Sequence, residues 1–390
     1  MREITAFNKV QMDVWQWLEA FEHPEKNLHS VRMAGTNGKG STGSCIAHFL
    51  HELKGVPVGH FSSPHVYKYN ERITVDGEPI SDDELNKIRA AMEEKKKEHK
   101  LPDLPYFHQS FIEAMIYYRN LEWAVIETGV GGLEDATNVM PSDIAVITTI
   151  DYDHMNVLGE SISEIAAHKA GIIEGGKPVY SCYQMEEVET VLQNTAKNKH
   201  TEVKFIDSKR ISDVKYINNK GMEFKWNGGI LEGVYHTALI GLHQVQNISL
   251  AMGVAEGLGI TDKSILQKAF DKVSMPGRMQ HVYSKPDVWI DGAHNDQAVN
   301  ILLNNLNWMG IKNPRLIFGM HDNKISDEVR EKLFSGMSEV KKVLVQDISD
   351  DEISLKVREA LEEYRAEDSE TPIVICGSLY ILGAAGKENE

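Results

Sequence analysis

Residues 34–42 read Ala34-Gly35-Thr36-Asn37-Gly38-Lys39-Gly40-Ser41-Thr42. An apolar run, Val31-Arg32-Met33-Ala34, leads in, and a helical pattern, Ser44 to Leu53, leads out. A glycine-rich turn between a strand and a helix aims backbone N–H groups at one point, where the helix N-terminus adds partial positive charge. A lysine in such a turn reaches outer phosphates, and a following hydroxyl ligates Mg²⁺. The spacing departs from the common Gly-x-x-x-x-Gly-Lys-[Ser/Thr] pattern: Gly40 separates Lys39 from Ser41. The stretch reads as a nucleotide phosphate loop of unusual subtype; a plain glycine-rich turn at a helix start is the alternative.

Working outward, apolar runs at 28–34, 56–61, 123–127, 143–150 and 177–181 predict strands, and periodic segments at 41–54, 81–99, 107–120 and 161–174 predict helices between them. Capping boxes mark two helix starts, Ser81 with Glu84 and Ser161 with Glu164. The alternation predicts an α/β fold with a mostly parallel sheet and helices on both faces. Ligands of such sheets lie beyond the carboxyl ends of the strands. Ala34, Glu127 and Asp151 end or follow three of those strands. Residues 203–240 change character, with turn signals at Asn218-Asn219-Lys220-Gly221 and Asn227-Gly228-Gly229, and predict a small antiparallel subsheet. Helices at 243–258 and 263–272 follow. Met275-Pro276-Gly277-Arg278 then marks a connection. Strands at 287–291, 315–319, 342–346 and 372–376, with helices at 296–309, 326–337 and 353–364, predict a smaller C-terminal α/β (Rossmann-like) domain. The expected division is 1–275, a linker at 276–285, and 286–390.

The chain has 390 residues, 42% hydrophobic and 25% charged, which suits two or three globular domains. No apolar run approaches membrane-spanning length, and Met1-Arg2-Glu3-Ile4-Thr5-Ala6 lacks the pattern of a signal peptide. Cys45, Cys182 and Cys376 have no metal-like spacing, so a reducing cytoplasm is the expected compartment. A net charge of −17 disfavours nucleic acid and anionic membranes as partners. Any anionic substrate must then be held by local Lys, Arg, backbone N–H groups or Mg²⁺.

Further candidates follow from residue type and place. Glu127, at the end of Trp123-Ala124-Val125-Ile126-Glu127, is either a carboxylate for Mg²⁺ or a solvent-facing acid. His154, in Asp151-Tyr152-Asp153-His154, is a metal or substrate residue or a plain loop histidine. Lys169, between Ala166-Ala167 and Ala170-Gly171, is a snorkelling side chain or a modified lysine near the metal. Asp291-Gly292-Ala293-His294-Asn295 is a ligand loop, a helix cap, or both. The amides of Gln244, Gln246 and Asn247 read an adenine edge or cap a helix.

Taken together these segments resemble the folylpolyglutamate synthases and dihydrofolate synthases of the Mur ligase superfamily. The resemblance runs from Ala34–Ser41 through Ser62-Ser63-Pro64-His65 and Asn70-Glu71-Arg72-Ile73 to Gly129-Val130-Gly131-Gly132 with Asp135-Ala136-Thr137-Asn138. It continues through Asp153-His154 with Leu158-Gly159, His168-Lys169-Ala170-Gly171, His243-Gln244 with Asn247, Pro276-Gly277-Arg278, Asp291–Asn295 and Gly377-Ser378-Leu379-Tyr380. Eight collinear motifs cover nearly the whole chain. Two departures stand out. Leu133-Glu134 replace an Arg-Leu pair, and His65-Val66-Tyr67-Lys68-Tyr69 carries an unusual aromatic pair near the expected pterin region.

The resemblance implies ATP-dependent amide ligation: the γ-carboxylate of a folate's glutamate tail is phosphorylated, and L-glutamate attacks the acyl phosphate. It implies an N-terminal ATP-binding domain of the Mur-ligase central type and a C-terminal ligase domain. It places ATP on Thr36, Asn37, Gly38, Lys39, Gly40, Ser41, Thr42, Asn247, Arg278, Asp291 and His294. It implies two Mg²⁺ ions, one on Ser41 and Glu127 and one near Ser63, Glu127 and His154. Lys39, His154 and a carbamylated Lys169 are the implied catalytic residues. Implied partners are a folate or dihydropteroate, L-glutamate and ATP, with a monomeric, cytoplasmic enzyme. A cell-wall Mur ligase and a non-catalytic phosphate-loop protein are the rivals.

Overall fold

The computed structural model describes residues 8–320, 325–345 and 349–385. The main sheet contains β1 (His29–Ala34), β2 (Val58–Phe61), β3 (Ile73–Val75), β4 (Glu78–Pro79), β5 (Trp123–Glu127), β6 (Ile144–Ile147), β7 (Val179–Cys182) and β8 (Val203–Ile206). Its order is β4-β3-β2-β5-β1-β6-β7-β8. β1 is central and its last five residues are buried, the mark of a strand covered on both faces. It runs parallel to β5 and β6, so that Met33 pairs with Glu127 and Ala34 with Ile147. The loops after these three strands therefore leave the sheet side by side. The hairpin formed by β3 and β4 makes an antiparallel edge.

The helix Lys39–Lys54 starts directly at the phosphate loop, two residues earlier than the pattern predicts. Its buried face packs in a core that includes Phe49, Phe224, Tyr235 and Phe270. The last two come from the strand Gly233–Thr237 and the helix Lys263–Lys272. The three-stranded antiparallel sheet is β9 (Ile211–Tyr216), β10 (Met222–Trp226) and β11 (Gly233–Thr237). The residues read as one subsheet from 203 divide, because Val203–Ile206 pairs in parallel with β7 at the rim of the main sheet. Helices Gln244–Gly257 and Lys263–Lys272 complete this layer. The phosphate-loop helix is thus clamped from both sides, with Phe49 edge-on to Phe270 at 5.1 Å.

The second sheet comprises β12 (Gln280–Ser284), β13 (Asp287–Ile290), β14 (Arg315–Met320), β15 (Glu339–Leu344) and β16 (Ile373–Cys376), in the order β12-β13-β16-β14-β15. Residues 280–284, in the stretch expected to link the domains, form an edge strand antiparallel to β13. The predicted strand at 342–346 begins earlier, at Glu339, and its last residue lies outside the described residues. Helices Lys9–Ala20 and Glu186–Asn198 have no counterpart in the sequence reading. The reciprocal box of Ser161 and Glu164 forms, whereas Ser81 caps its helix by accepting from the Glu84 N–H. No helix among the described residues is long and apolar enough to cross a membrane.

Candidate active site

The phosphate loop is stitched down at both ends. The Thr36 N–H donates to the Thr149 carbonyl at 2.7 Å, and the Thr36 hydroxyl donates to the Asp151 carbonyl at 3.0 Å. Gly38 caps the helix at φ +90°, and a side chain there would begin 2.1 Å from Asn247 Oδ1. Glycine is thus required twice over, by conformation and by space. Lys39 Nζ donates to the carbonyl of Gly35 at 3.0 Å, folded back over the loop. Ser41 and Thr42 are buried in the first turn, with Gly40 between Lys39 and Ser41. Asn247 lies against Gly38, held by a hydrogen bond to Gln244 Oε1 at 2.9 Å.

Glu127 rises from the end of β5 and is 1% exposed. Its Oε2 accepts from the Ser63 N–H at 3.4 Å. Its Oε1 has no hydrogen-bond partner among the described residues, and it lies 3.2 Å from where a Cβ on Gly40 would stand. The structure therefore resolves the choice between a solvent-facing acid and a buried carboxylate in favour of the latter. An unpartnered carboxylate oxygen turned toward a phosphate loop fits Mg²⁺, a hard cation that takes carboxylate, hydroxyl and phosphate oxygens. Ser41, Ser63 and Glu127 supply such oxygens. Among the described residues no cluster of three His, Cys, Asp or Glu forms a metal site, so most of the coordination would come from nucleotide and water.

The loop after Glu127 is fixed by residues that sequence reading left without a role. Asp135 accepts from the Gly129 and Val130 N–H groups at 2.9 and 3.0 Å, and from the Thr137 N–H at 2.9 Å. Arg32, fully buried in β1, donates to Thr137 Oγ1 at 2.9 Å and to Asn138 Oδ1. Asn138 in turn donates to the Leu133 carbonyl at 2.8 Å. Each buried charge meets charged or dipolar partners, as burial demands. The signal in the sequence is a charged residue inside an otherwise apolar strand.

Lys169 is buried, and its Nζ donates to the Gly35 carbonyl at 2.9 Å. Burial, with the nearby Lys39 charge, pushes its ammonium down to about 7. The snorkelling alternative is thereby excluded. His154 is in a different situation. It is exposed, in left-handed conformation at φ 50°, with its ring 3.7 Å from Asp153. The structure does not bring it into contact with Glu127 or Lys169 among the described residues.

Helix Asp296–Trp308 of the second domain reaches the first domain through Gln297 and Asn305. Gln297, at the start of helix Asp296–Trp308, accepts from Asn37 Nδ2 and donates to Asp151 Oδ2 at 2.7 Å. Asn305 on the same helix accepts from the Leu242 N–H at 2.9 Å and lies 3.1 Å from His243. Burial and the Arg278 charge push His243 down to about 4, so it is a neutral imidazole at neutral pH. Asp291 ends the strand run of β13 and is buried. It accepts from Met279 N–H and Ala293 N–H, each at 2.9 Å, while Gly292 N–H donates to Gly277 at 2.7 Å. Burial raises the Asp291 carboxyl, and the Arg278 charge works against that rise. His294 Nδ1 lies 2.6 Å from the Gly292 carbonyl. Asn295 caps the helix by accepting from Ala298 N–H at 2.9 Å, so the helix-cap alternative holds for this loop. Asp291→Ala strands two buried N–H groups and is expected to destabilise the protein by about 2–5 kcal/mol in urea unfolding. A variant as stable as the parent would remove this structural role.

Residues 33–255 match the Mur ligase middle domain. A dihydrofolate synthase/folylpolyglutamate synthase from Bacillus subtilis (strain 168) is 35% identical over 303 residues, covering 74% of this chain and 69% of the relative. A folylpolyglutamate synthase from Lacticaseibacillus casei is 31% identical over 399 residues, covering 94% and 91%. Among solved structures, the apo form of L. casei FPGS superposes with a TM-score of 0.83 at 27% identity, covering 96% of this chain and 93% of that one. The FPGS–AMPPCP–folate complex does so at 0.81 and 27%, covering 98% and 96%.

Proposed function

The chain belongs to the Mur ligase family, among its folylpolyglutamate and dihydrofolate synthases, and from that premise we propose that it joins L-glutamate to the γ-carboxylate of folates at the expense of ATP. The observation that carries the reading is the buried, unpartnered Glu127 oxygen turned toward the phosphate loop. A structural neighbour holding both AMPPCP and folate supports the two substrates.

A carboxylate is a poor electrophile. Attack of its oxygen on the γ-phosphorus of ATP gives an acyl phosphate and ADP. The glutamate amine then adds to the activated carbonyl, and the C–O bond breaks to release phosphate, leaving the amide. All reactants are anionic and the chain itself carries −17. Phosphate charge must therefore be met by the loop N–H groups of Thr36–Thr42 and by Lys39, which exchanges the Gly35 carbonyl for phosphate oxygens. Mg²⁺, held by Ser41 and Glu127 and at a second position by Ser63, Glu127 and His154, would supply further screening. Asn247, Arg278, Asp291 and His294 would flank the nucleotide, with residues 1–275 carrying it and 286–390 covering it. That cover keeps water from the acyl phosphate. Lys169 is proposed to act as a carbamate anion beside the loop. The enzyme is read as a cytoplasmic monomer.

The test is incorporation of labelled glutamate with MgATP by the purified protein. Tetrahydrofolate as the productive acceptor supports the polyglutamate activity. Dihydropteroate as acceptor supports dihydrofolate synthesis, a second reading favoured by the double name of the Bacillus relative. Acceptance of a UDP-muramyl peptide, or nucleotide binding with no amide product, would overturn both. Glu127→Gln replaces a charged oxygen by a neutral one and is expected to raise the Mg²⁺ requirement about tenfold or more. An unchanged Mg²⁺ titration curve would remove Glu127 from the metal.

A further inference from the structure

The second residue of interest on the metal side of the sheet is one that no motif contains. His60 lies in β2, is 8% exposed, and its Nε2 has no hydrogen-bond partner among the described residues. That atom is 3.7 Å from Glu127 Oε1, an ion-pair distance only if the imidazole is protonated, and that oxygen likewise has no hydrogen-bond partner among the described residues. A buried polar atom without a partner is costly. Two of them facing each other across a gap is an arrangement that calls for a third group.

Both atoms face the same stretch of the phosphate-loop helix. A Cβ on Gly40 would stand 3.2 Å from Glu127 Oε1, and one on Gly43 would stand 2.8 Å from His60 Nε2. The other Glu127 oxygen is taken by the Ser63 N–H. The free carboxylate oxygen and the free imidazole nitrogen are thus the two donors left on the floor of the cation site. Donors about 2.1 Å from a cation stand about 3.0 Å apart at a right angle and about 3.6 Å apart at 120°. A separation of 3.7 Å closes to that range with a small turn of the imidazole.

We propose that His60 Nε2 is a ligand of the cation that Glu127 holds, and that it tunes the site toward metals with greater affinity for nitrogen. Mg²⁺ prefers oxygen donors, whereas Mn²⁺ and the later divalent ions take imidazole readily. The inference rests on the reading that Glu127 holds the nucleotide's cation. The site would then work with Mg²⁺ but bind Mn²⁺ more tightly than an all-oxygen site does.

Pulsed electron paramagnetic resonance of the whole protein with Mn²⁺ and a non-hydrolysable ATP analogue tests this without turnover. The expected spectrum shows coupling of Mn²⁺ to phosphorus and to a directly bound nitrogen. The nitrogen signal survives in His154→Ala and disappears when His60→Leu is added to that variant, which separates His60 from the His154 of the second cation position. The preference for Mn²⁺ over Mg²⁺ in competition titrations falls about tenfold in His60→Leu. If that variant does not fold, His60→Asn, whose amide offers oxygen in place of nitrogen, gives the same readings. Phosphorus coupling without nitrogen in His154→Ala, or nitrogen that persists there once His60 is also replaced, overturns the proposal and leaves the nucleotide–metal reading intact. Absence of phosphorus coupling overturns both.

Discussion

Lys39→Ala is expected to cut glutamate incorporation by at least about 10²–10³-fold at saturating MgATP, the scale seen when one preorganised donor to a developing anion is removed. Lys39 sits at the head of helix Lys39–Lys54, and its Nζ contacts are the carbonyls of Gly35 and Thr36. Those contacts tie the loop only to itself. The bonds from the Thr36 N–H to Thr149 and from the Thr36 hydroxyl to Asp151 remain without them. The fold should therefore survive, and the far-ultraviolet spectrum and unfolding midpoint should match the parent. Near-parental turnover would show that the loop N–H groups suffice for phosphate and that the lysine has another task.

Lys169→Ala is the second variant for which a near-complete loss is expected. The amine lies at the Gly35 carbonyl and loses its proton near neutral pH because of burial and Lys39. A neutral amine attacks CO₂, forming N–C, and the released proton leaves a carbamate anion. Labelled bicarbonate should give a carbamate carbon resonance in the parent and none in the variant, and short carboxylic acids should restore part of the activity. No such resonance, with activity intact in the variant, would end the proposal. In CO₂-free buffer, where it stays an amine, the same lysine makes a stability prediction with a definite sign. Unfolded, it titrates near 10.5; folded, near 7. Below pH 7 both states hold the proton and the cost of burying it is fully present. Between those values the unfolded state holds a proton that the folded state has released, so stability rises with pH across this window. Lys169→Met should flatten that rise in urea unfolding measured from pH 7 to 10.

The elements legible in the sequence are those with a strong local signature. β1, β5 and the helix after the loop combine apolar runs with glycine or a strand-end acid. Helix Glu186–Asn198 buries only Val188, Leu192 and Ala196 among the residues of its inner face, a sparse stripe that reads as polar. Residues 203–206 are too short to show whether they pair with a hairpin or with a distant strand; only the register with β7 decides it. The site divides in the same way. The loop residues and Glu127 announce themselves by spacing. Arg32 leaves only the trace of a charge inside an apolar strand, while Gln297 and Asn305 meet partners far along the chain, so their type alone carries no message. His154 illustrates the converse. Its motif is conspicuous, yet its side chain is on the surface, because a loop residue's place depends on what it closes around.

β1 is among the first strands made, but both of its partners, β5 and β6, come much later, and the Asn37 side chain is met by Gln297 later still. On the ribosome, the loop that will hold ATP is therefore synthesised early and set last. The side-chain contact that fixes Asn37 forms only after the second domain has emerged.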